Sequence, residues 1–219
     1  MPKIKRTAQE VDAVKTSILG KALEMIAKDG FDSLSMRKLA SKLGIAAKTI
    51  YNYFSNKEEI YIMVLTRGFE IMNAQAQSAG KNCDDPADKF AVLCREYVKF
   101  GIANKNYYSI MFNLDVPKYT DYVGTPIEPA AYHEKATAMK LAELGLQILD
   151  DLNRTHGTLA GADIPYLLLK IWSQLHGIVS LYNSRVMQEV SDTADQAVLR
   201  MTEDVIFPYM PIRNKDKKP

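Results

Sequence analysis
Several residue types are scarce in this 219-residue chain. It has two cysteines, Cys83 and Cys94, three histidines and one tryptophan. Two isolated thiols match no zinc-ligand spacing, and an intracellular chain rarely closes a disulfide, so both cysteines read as small partly buried hydrophobes. His133, His156 and His176 are too irregularly spaced for a catalytic triad or a metal cluster, so no metal and no cofactor is expected. There is no Gly-rich phosphate loop and no paired nucleophile and base, which removes the support for an enzyme. Long apolar runs are also missing. The best stretch, Ile164 to Leu181, is interrupted by Lys170, Gln174 and His176, whereas a membrane span needs roughly 18 apolar residues. The basic start, Met1 to Arg6, is followed by a segment too polar for a secretory signal. A soluble, cytoplasmic chain with no membrane partner is the expectation. Finally, no Asn-Gly hairpin, no alternating strand and no fixed-period repeat is visible.

What is present is helical periodicity and an uneven charge. The total is +2, from 28 Lys and Arg against 26 Asp and Glu. Residues 1–60 hold eleven basic and seven acidic side chains, leaving seventeen and nineteen for 61–219. A basic module joined to a near-neutral body follows. Apolar residues recur at three- and four-residue spacing over Gln9–Lys28, 35–43, Ala46–Tyr53, 56–77, a helix starting at Asp85-Pro86, a short aromatic helix from Tyr107 to Phe112, Ala130–Asn153, Asp163–Gln188 and Asp192–Tyr209. Val116 to Pro129, with Pro117, Gly124, Pro126 and Pro129, reads as a loop or lid, and Gly157 to Gly161 as a second loop. The fold class is therefore all-α, with about nine helices. The chain divides into an N-terminal basic three-helix module, 1–60, and a larger helical body, 61–219.

The informative stretch is Phe31 to Tyr61. Two short helices meet at Leu43-Gly44-Ile45, where the glycine permits a sharp turn. Leu39, Ala40, Leu43, Ile45 and Ile50 face inward, and Ala47, Lys48, Thr49, Tyr51, Asn52 and Tyr53 are left on the outer side. That outer set has hydrogen-bonding tips, a positive charge and no carboxylate, which suits a major groove. Arg37 and Lys38 flank it from the preceding helix, and Lys57 sits at the N-terminus of the next, where phosphate is favoured. Ala46 and Ala47 are small, so direct base readout is lean here.

Ser35-Met36-Arg37-Lys38-Leu39-Ala40, Leu43-Gly44-Ile45, Lys48-Thr49-Ile50-Tyr51-Asn52-Tyr53-Phe54 and Asn56-Lys57-Glu58 together resemble the DNA-binding domain of the tetracycline-repressor (TetR) family, over roughly residues 10–62. The resemblance implies that Ser35, Arg37, Lys38, Lys48, Thr49, Tyr51, Asn52, Tyr53 and Lys57 contact a double-stranded DNA operator. Near the other end, Trp172-x-x-x-His176-Gly177 resembles the eighth helix of a TetR subgroup named for its Trp-His-Gly signature, with Gly177 letting a neighbouring helix approach closely. The family also implies a homodimer built on the last two helices, here through Leu168, Ile171, Leu175, Ile178, Val179, Tyr182, Val198, Met201 and Val205. It further implies a small-molecule effector, lipophilic or aromatic, in a pocket lined by Tyr97, Tyr107, Tyr108, Met111, Phe112, Trp172 and His176. A repressor released from a near-palindromic site by its effector is the leading expectation. An activator, or a member controlled by a protein partner, has the same sequence signature.

Overall fold
A computed structural model describes residues 7–211. Lys3, Lys5 and Arg6 of the basic module, and the charged tail Arg213–Pro219, lie outside the described residues. Among the described residues there is no strand. The helices are α1 Ala8–Asp29, α2 Met36–Leu43, α3 Ala47–Tyr51, α4 Lys57–Gly80, α5 Pro86–Ala103, α6 Lys105–Tyr108, α7 Glu128–His156, α8 Ile164–Asn183, α9 Val186–Val190 and α10 Ala194–Ile206. The all-α expectation holds.

Local chemistry explains most boundaries. The Thr7 hydroxyl accepts from the Glu10 N–H while the Glu10 carboxylate accepts from the Thr7 N–H, a reciprocal cap that starts α1. Asp85 and Asp163 cap α5 and α8, each followed by proline in the first turn. Pro129 also sits in the first turn of α7, so that helix begins at Glu128, inside the stretch expected to be a loop. The rest of that stretch is ordered by Glu128, whose carboxylate accepts from the Gly124 N–H at 2.7 Å and the Tyr119 hydroxyl at 3.3 Å, and Tyr119–Tyr122 forms a 3-10 turn.

Two expectations need correcting. The aromatic helix from Tyr107 does not continue as an α-helix: α6 passes into a π-helical turn, Ser109–Asn113. The helix expected over Asp163–Gln188 is two, because Arg185 takes the left-handed conformation, φ 67°, and separates α8 from α9. No glycine or proline marks that break, which is why periodicity alone runs through it.

The chain forms two compact units. The first holds the residues up to Glu70 together with Asn106–Ala138; the second holds Ile71–Lys105 and Met139 onward. In the first unit α1, α2 and α3 pack together, and the π-helical turn also meets α1. Gly68 on α4 is needed for the close approach of the aromatic segment: a Cβ there would lie 2.7 Å from Met111 Sδ and 2.9 Å from Tyr107 Cδ1. In the second unit α5, α8 and α10 pack on one another. A two-pronged ion pair from Arg95 to Glu203, at 2.6 and 2.7 Å, ties α5 to α10, and His156 lies 2.9 Å from the Asp85 carboxylate. The compact units do not divide at residue 60, where the boundary was expected: Asn106–Ala138 groups with the N-terminal helices.

The turn between α2 and α3 rests on Gly44, at φ 67° and ψ 27°. A Cβ there meets no neighbouring atom, so the cost of substitution is conformational alone. Gly44→Ala is expected to lower the unfolding free energy by about 1 kcal/mol in urea titration, with an unchanged helical spectrum.

Candidate nucleic-acid interface
The surface is built from α2 outward. Ser35 caps α2, its Oγ accepting the Lys38 N–H at 3.2 Å. The hydroxyl predicted to touch DNA is thus engaged as an acceptor and keeps its proton to donate. Met36, Leu39 and Ala40 turn inward and are buried. Arg37, Lys38, Ser41 and Lys42 are left exposed. They line, with Met25, Asp29 and Ser33, a groove of about 360 Å³. Lys42, outside the predicted set, lines the same groove, and its four-residue spacing from Lys38 puts both on one face of the helix.

After Gly44 the chain enters α3 with no side-chain cap, because Ala46 occupies the capping position. Ile50 is fully buried and fixes the roll of α3. Lys48, Tyr51 and Asn52 are exposed, Tyr51 to 55% of its surface, and Thr49 and Tyr53 are half-buried. The residues predicted to read DNA therefore share the outward side, without a carboxylate among them.

Lys57 opens α4. Asn56 Oδ1 accepts the Glu59 N–H at 2.8 Å, and the Glu59 carboxylate accepts the Ser55 N–H at 2.6 Å. The Lys57 ammonium lies 4.3 Å above the Phe31 ring, and that ring meets Tyr61 at 4.9 Å. The cation is thus held at a fixed place by an aromatic face, an arrangement the sequence spacing did not reveal.

The expected effector residues fall into two groups. Tyr107, Tyr108, Met111 and Phe112 belong to the first unit and pack onto α4: Tyr108 and Met111 are buried, and Phe112 meets Phe69 edge-on at 5.8 Å. Tyr97, Trp172 and His176 belong to the second unit. There the Trp172 indole donates to the Tyr97 hydroxyl at 2.8 Å, and His176 Nε2 lies 3.3 Å from Ser180 Oγ. Burial lowers the pKa of His176 from its ordinary value. A groove of about 260 Å³ in the second unit has an apolar floor of Ala76, Leu93, Leu144 and Ile148 and a rim including Gln77, Lys81, Lys89 and Gln147, and none of the seven predicted residues lines it. A Cβ at Gly177 meets nothing within 4 Å, so no other part of the described chain closes on that glycine as expected.

The expected dimer residues also divide. Ile171, Leu175, Ile178, Val179, Val198 and Val205 are buried in this chain's own core, because α5, α8 and α10 pack on one another. Leu168 and Tyr182 are half-buried, and the Tyr182 hydroxyl donates to Asp195 at 2.6 Å. Met201 alone of the nine is exposed. The large exposed apolar residues on these helices are instead Tyr166, Leu169, Trp172 and Leu181 on α8, and Leu199 and Met201 on α10, followed by Phe207.

Among the described residues no helix is long and apolar enough to cross a membrane, and no cluster of metal-ligating side chains occurs. Residues 18–64 match the family described as bacterial regulatory proteins, tetR family, and residues 90–205 match the tetracyclin repressor-like C-terminal domain. An uncharacterized HTH-type transcriptional regulator of Mycobacterium tuberculosis is 27% identical over 194 residues, covering 87% of this chain and 80% of that protein. The fatty acid metabolism regulator protein of Bacillus subtilis is 44% identical over 45 residues, 20% of this chain and 23% of that one. Among solved structures, the fatty acid degradation regulator FadR from Bacillus halodurans shares the fold, with a TM-score of 0.66 at 19% identity over 92% of this chain and 97% of that chain. The helix-turn-helix geometry and the two matched regions agree, and the chain belongs to the TetR family of DNA-binding transcriptional regulators rather than to any enzyme family.

Proposed function
We propose that this regulator is a homodimeric repressor that leaves a near-palindromic operator when a small lipophilic or aromatic effector binds. The observation that carries the dimer is the exposed apolar set on α8 and α10. Tyr166, Leu169 and Trp172 follow one another at three-residue spacing, and Leu169, Leu199 and Phe207 expose 57%, 70% and 78% of their surface. Large apolar side chains concentrated on two mutually packed helices call for cover. A second copy supplies it by two-fold symmetry, and sets two α3 helices about 34 Å apart, one turn of DNA.

In this reading residues 1–60 bind DNA and 61–219 dimerise and sense. Lys48, Thr49, Tyr51 and Asn52 face base edges and nearby phosphates. Ser35, Arg37, Lys38, Tyr53 and Lys57 hold the backbone on either side, with Lys42 extending the basic face of α2. The effector reading is supported by the aromatic packing around Trp172 and Tyr97 and by two relatives named for fatty acid regulation. An effector that prefers the conformation with displaced reading helices lowers operator affinity by population shift.

Two outcomes are expected. Light scattering at micromolar concentration gives twice the 24.6 kDa chain mass, and Leu169→Arg with Leu199→Arg gives the single mass and about a hundredfold weaker operator binding, as bivalency is lost; a monomeric parent chain defeats the dimer. Removing Lys57 (Lys57→Ala) weakens binding to all duplexes alike and lowers the salt slope by about 1 per protomer, whereas Lys48→Ala or Thr49→Ala alters sequence preference in a random-pool selection.

A further inference from the structure
Lys57 and Tyr61 stand four residues apart and so share one side of the first turns of α4. A single side chain meets both. The Phe31 ring lies 4.3 Å from the Lys57 ammonium and 4.9 Å, centroid to centroid, from the Tyr61 ring. All three residues belong to the first compact unit. The backbone of Phe31 is pinned. Before it, Gly30 at φ 80° returns its N–H to the Ile26 carbonyl and ends α1. After it, the Phe31 carbonyl accepts the Leu34 N–H at 3.0 Å across the 3-10 turn Phe31–Ser33. The surface behind the ring is pinned as well, because Tyr61 is fully buried and its hydroxyl donates to the Pro117 carbonyl at 3.4 Å.

A lysine carries its charge on a flexible stem, and ordering that stem costs entropy when the ammonium meets a phosphate. A carboxylate partner would order it beforehand, but would also cancel the charge the phosphate seeks. Among the described residues no carboxylate pairs with Lys57. The neighbouring Glu59 carboxylate is taken up by the Ser55 N–H at 2.6 Å. A ring face works differently. Its quadrupole attracts the cation yet carries no net charge, so the ammonium is localised and keeps both its charge and its donors. Lys57 is half-buried, and its ordering is complete before DNA arrives.

We propose that Phe31 is a positioning residue for operator binding, acting through the Lys57 ammonium that its ring holds in place. The inference rests on the DNA-binding reading of this surface. Without the ring face Lys57 is still present and still charged, but it is no longer placed, and part of its contribution to binding is lost. A cation–ring contact at a partly exposed site corresponds to about a threefold change in an equilibrium constant, and two protomers on one operator make that about tenfold.

The test uses the full chain and a duplex it selects from a random pool. Phe31→Leu, apolar but without a π-face, is expected to weaken binding about tenfold at fixed salt and to lower the salt slope, whereas Phe31→Tyr keeps the parent affinity within about twofold. Combined with Lys57→Ala, Phe31→Leu is expected to add little further loss, since its effect runs through that ammonium. Equal loss with and without Lys57, or parent affinity for Phe31→Leu, overturns the proposal and leaves the DNA-binding reading standing. Should Phe31→Leu fail to fold, ring-fluorinated phenylalanines at position 31 decide, because fluorine drains the ring quadrupole at nearly constant shape. Affinity is expected to fall with each added fluorine when Lys57 is present and to stay flat with Lys57→Ala. A series that is flat in both backgrounds, or falls equally in both, overturns the proposal. A parent chain that binds no duplex defeats the DNA-binding reading, and the proposal with it.

Discussion
The reading surface hangs on the burial of Ile50. The helix that carries it, α3, has five residues, far too few to be stable alone in water. It has no side-chain cap at its start. What holds it is tertiary: Ile50 is sealed in the same core as Leu39 and Ala40, and Gly44 turns the chain so that the Ile45 N–H returns to the Ala40 carbonyl at 3.0 Å. At about 100° per residue, an inward Ile50 puts Lys48 and Asn52 on the far side of the helix. The orientation of the outward polar residues of α3 is therefore a consequence of apolar packing.

This division explains how much was legible beforehand. The helix-turn-helix could be read because its determinants are local: a serine cap, a left-handed glycine and apolar residues three and four apart. The boundaries of α2, α3 and α4 fall within a few residues of expectation for that reason. Where a determinant is tertiary, the sequence is silent. The break at Arg185 uses a left-handed arginine, a conformation with no residue signature of its own. The π-helical turn at Ser109–Asn113 lies in a run whose composition reads as ordinary helix.

Helix α8 is instructive in the same way. It is apolar on more than one side, so periodicity identifies two sets of hydrophobic residues without ranking them. Ile171, Leu175, Ile178 and Val179 face this chain's core, while Tyr166, Leu169 and Trp172 face outward. Only packing against α5 and α10 distinguishes them. Trp172 shows the ambiguity within one side chain: it is 41% exposed, yet its indole nitrogen is fixed to the buried Tyr97 hydroxyl.

The first compact unit extends beyond the DNA-binding helices because Asn106–Ala138 grips α4 at two points. One is Gly68, where Met111 and Tyr107 approach too closely for any side chain. The other is Tyr61, reached by the Pro117 carbonyl. The two positions are seven residues apart, which on an α-helix puts them within about 20° of the same side and about 10 Å along the axis. The grips differ in closeness. At Gly68 an added Cβ would lie 2.7 Å from Met111 Sδ, whereas the Tyr61 hydrogen bond is long at 3.4 Å. The longer contact, at Tyr61, lies at the end nearer Lys57 and Phe31. A displacement confined to that end moves the Lys57 ammonium without unpacking Ile50, so the start of α4 can shift while α3 keeps its fold.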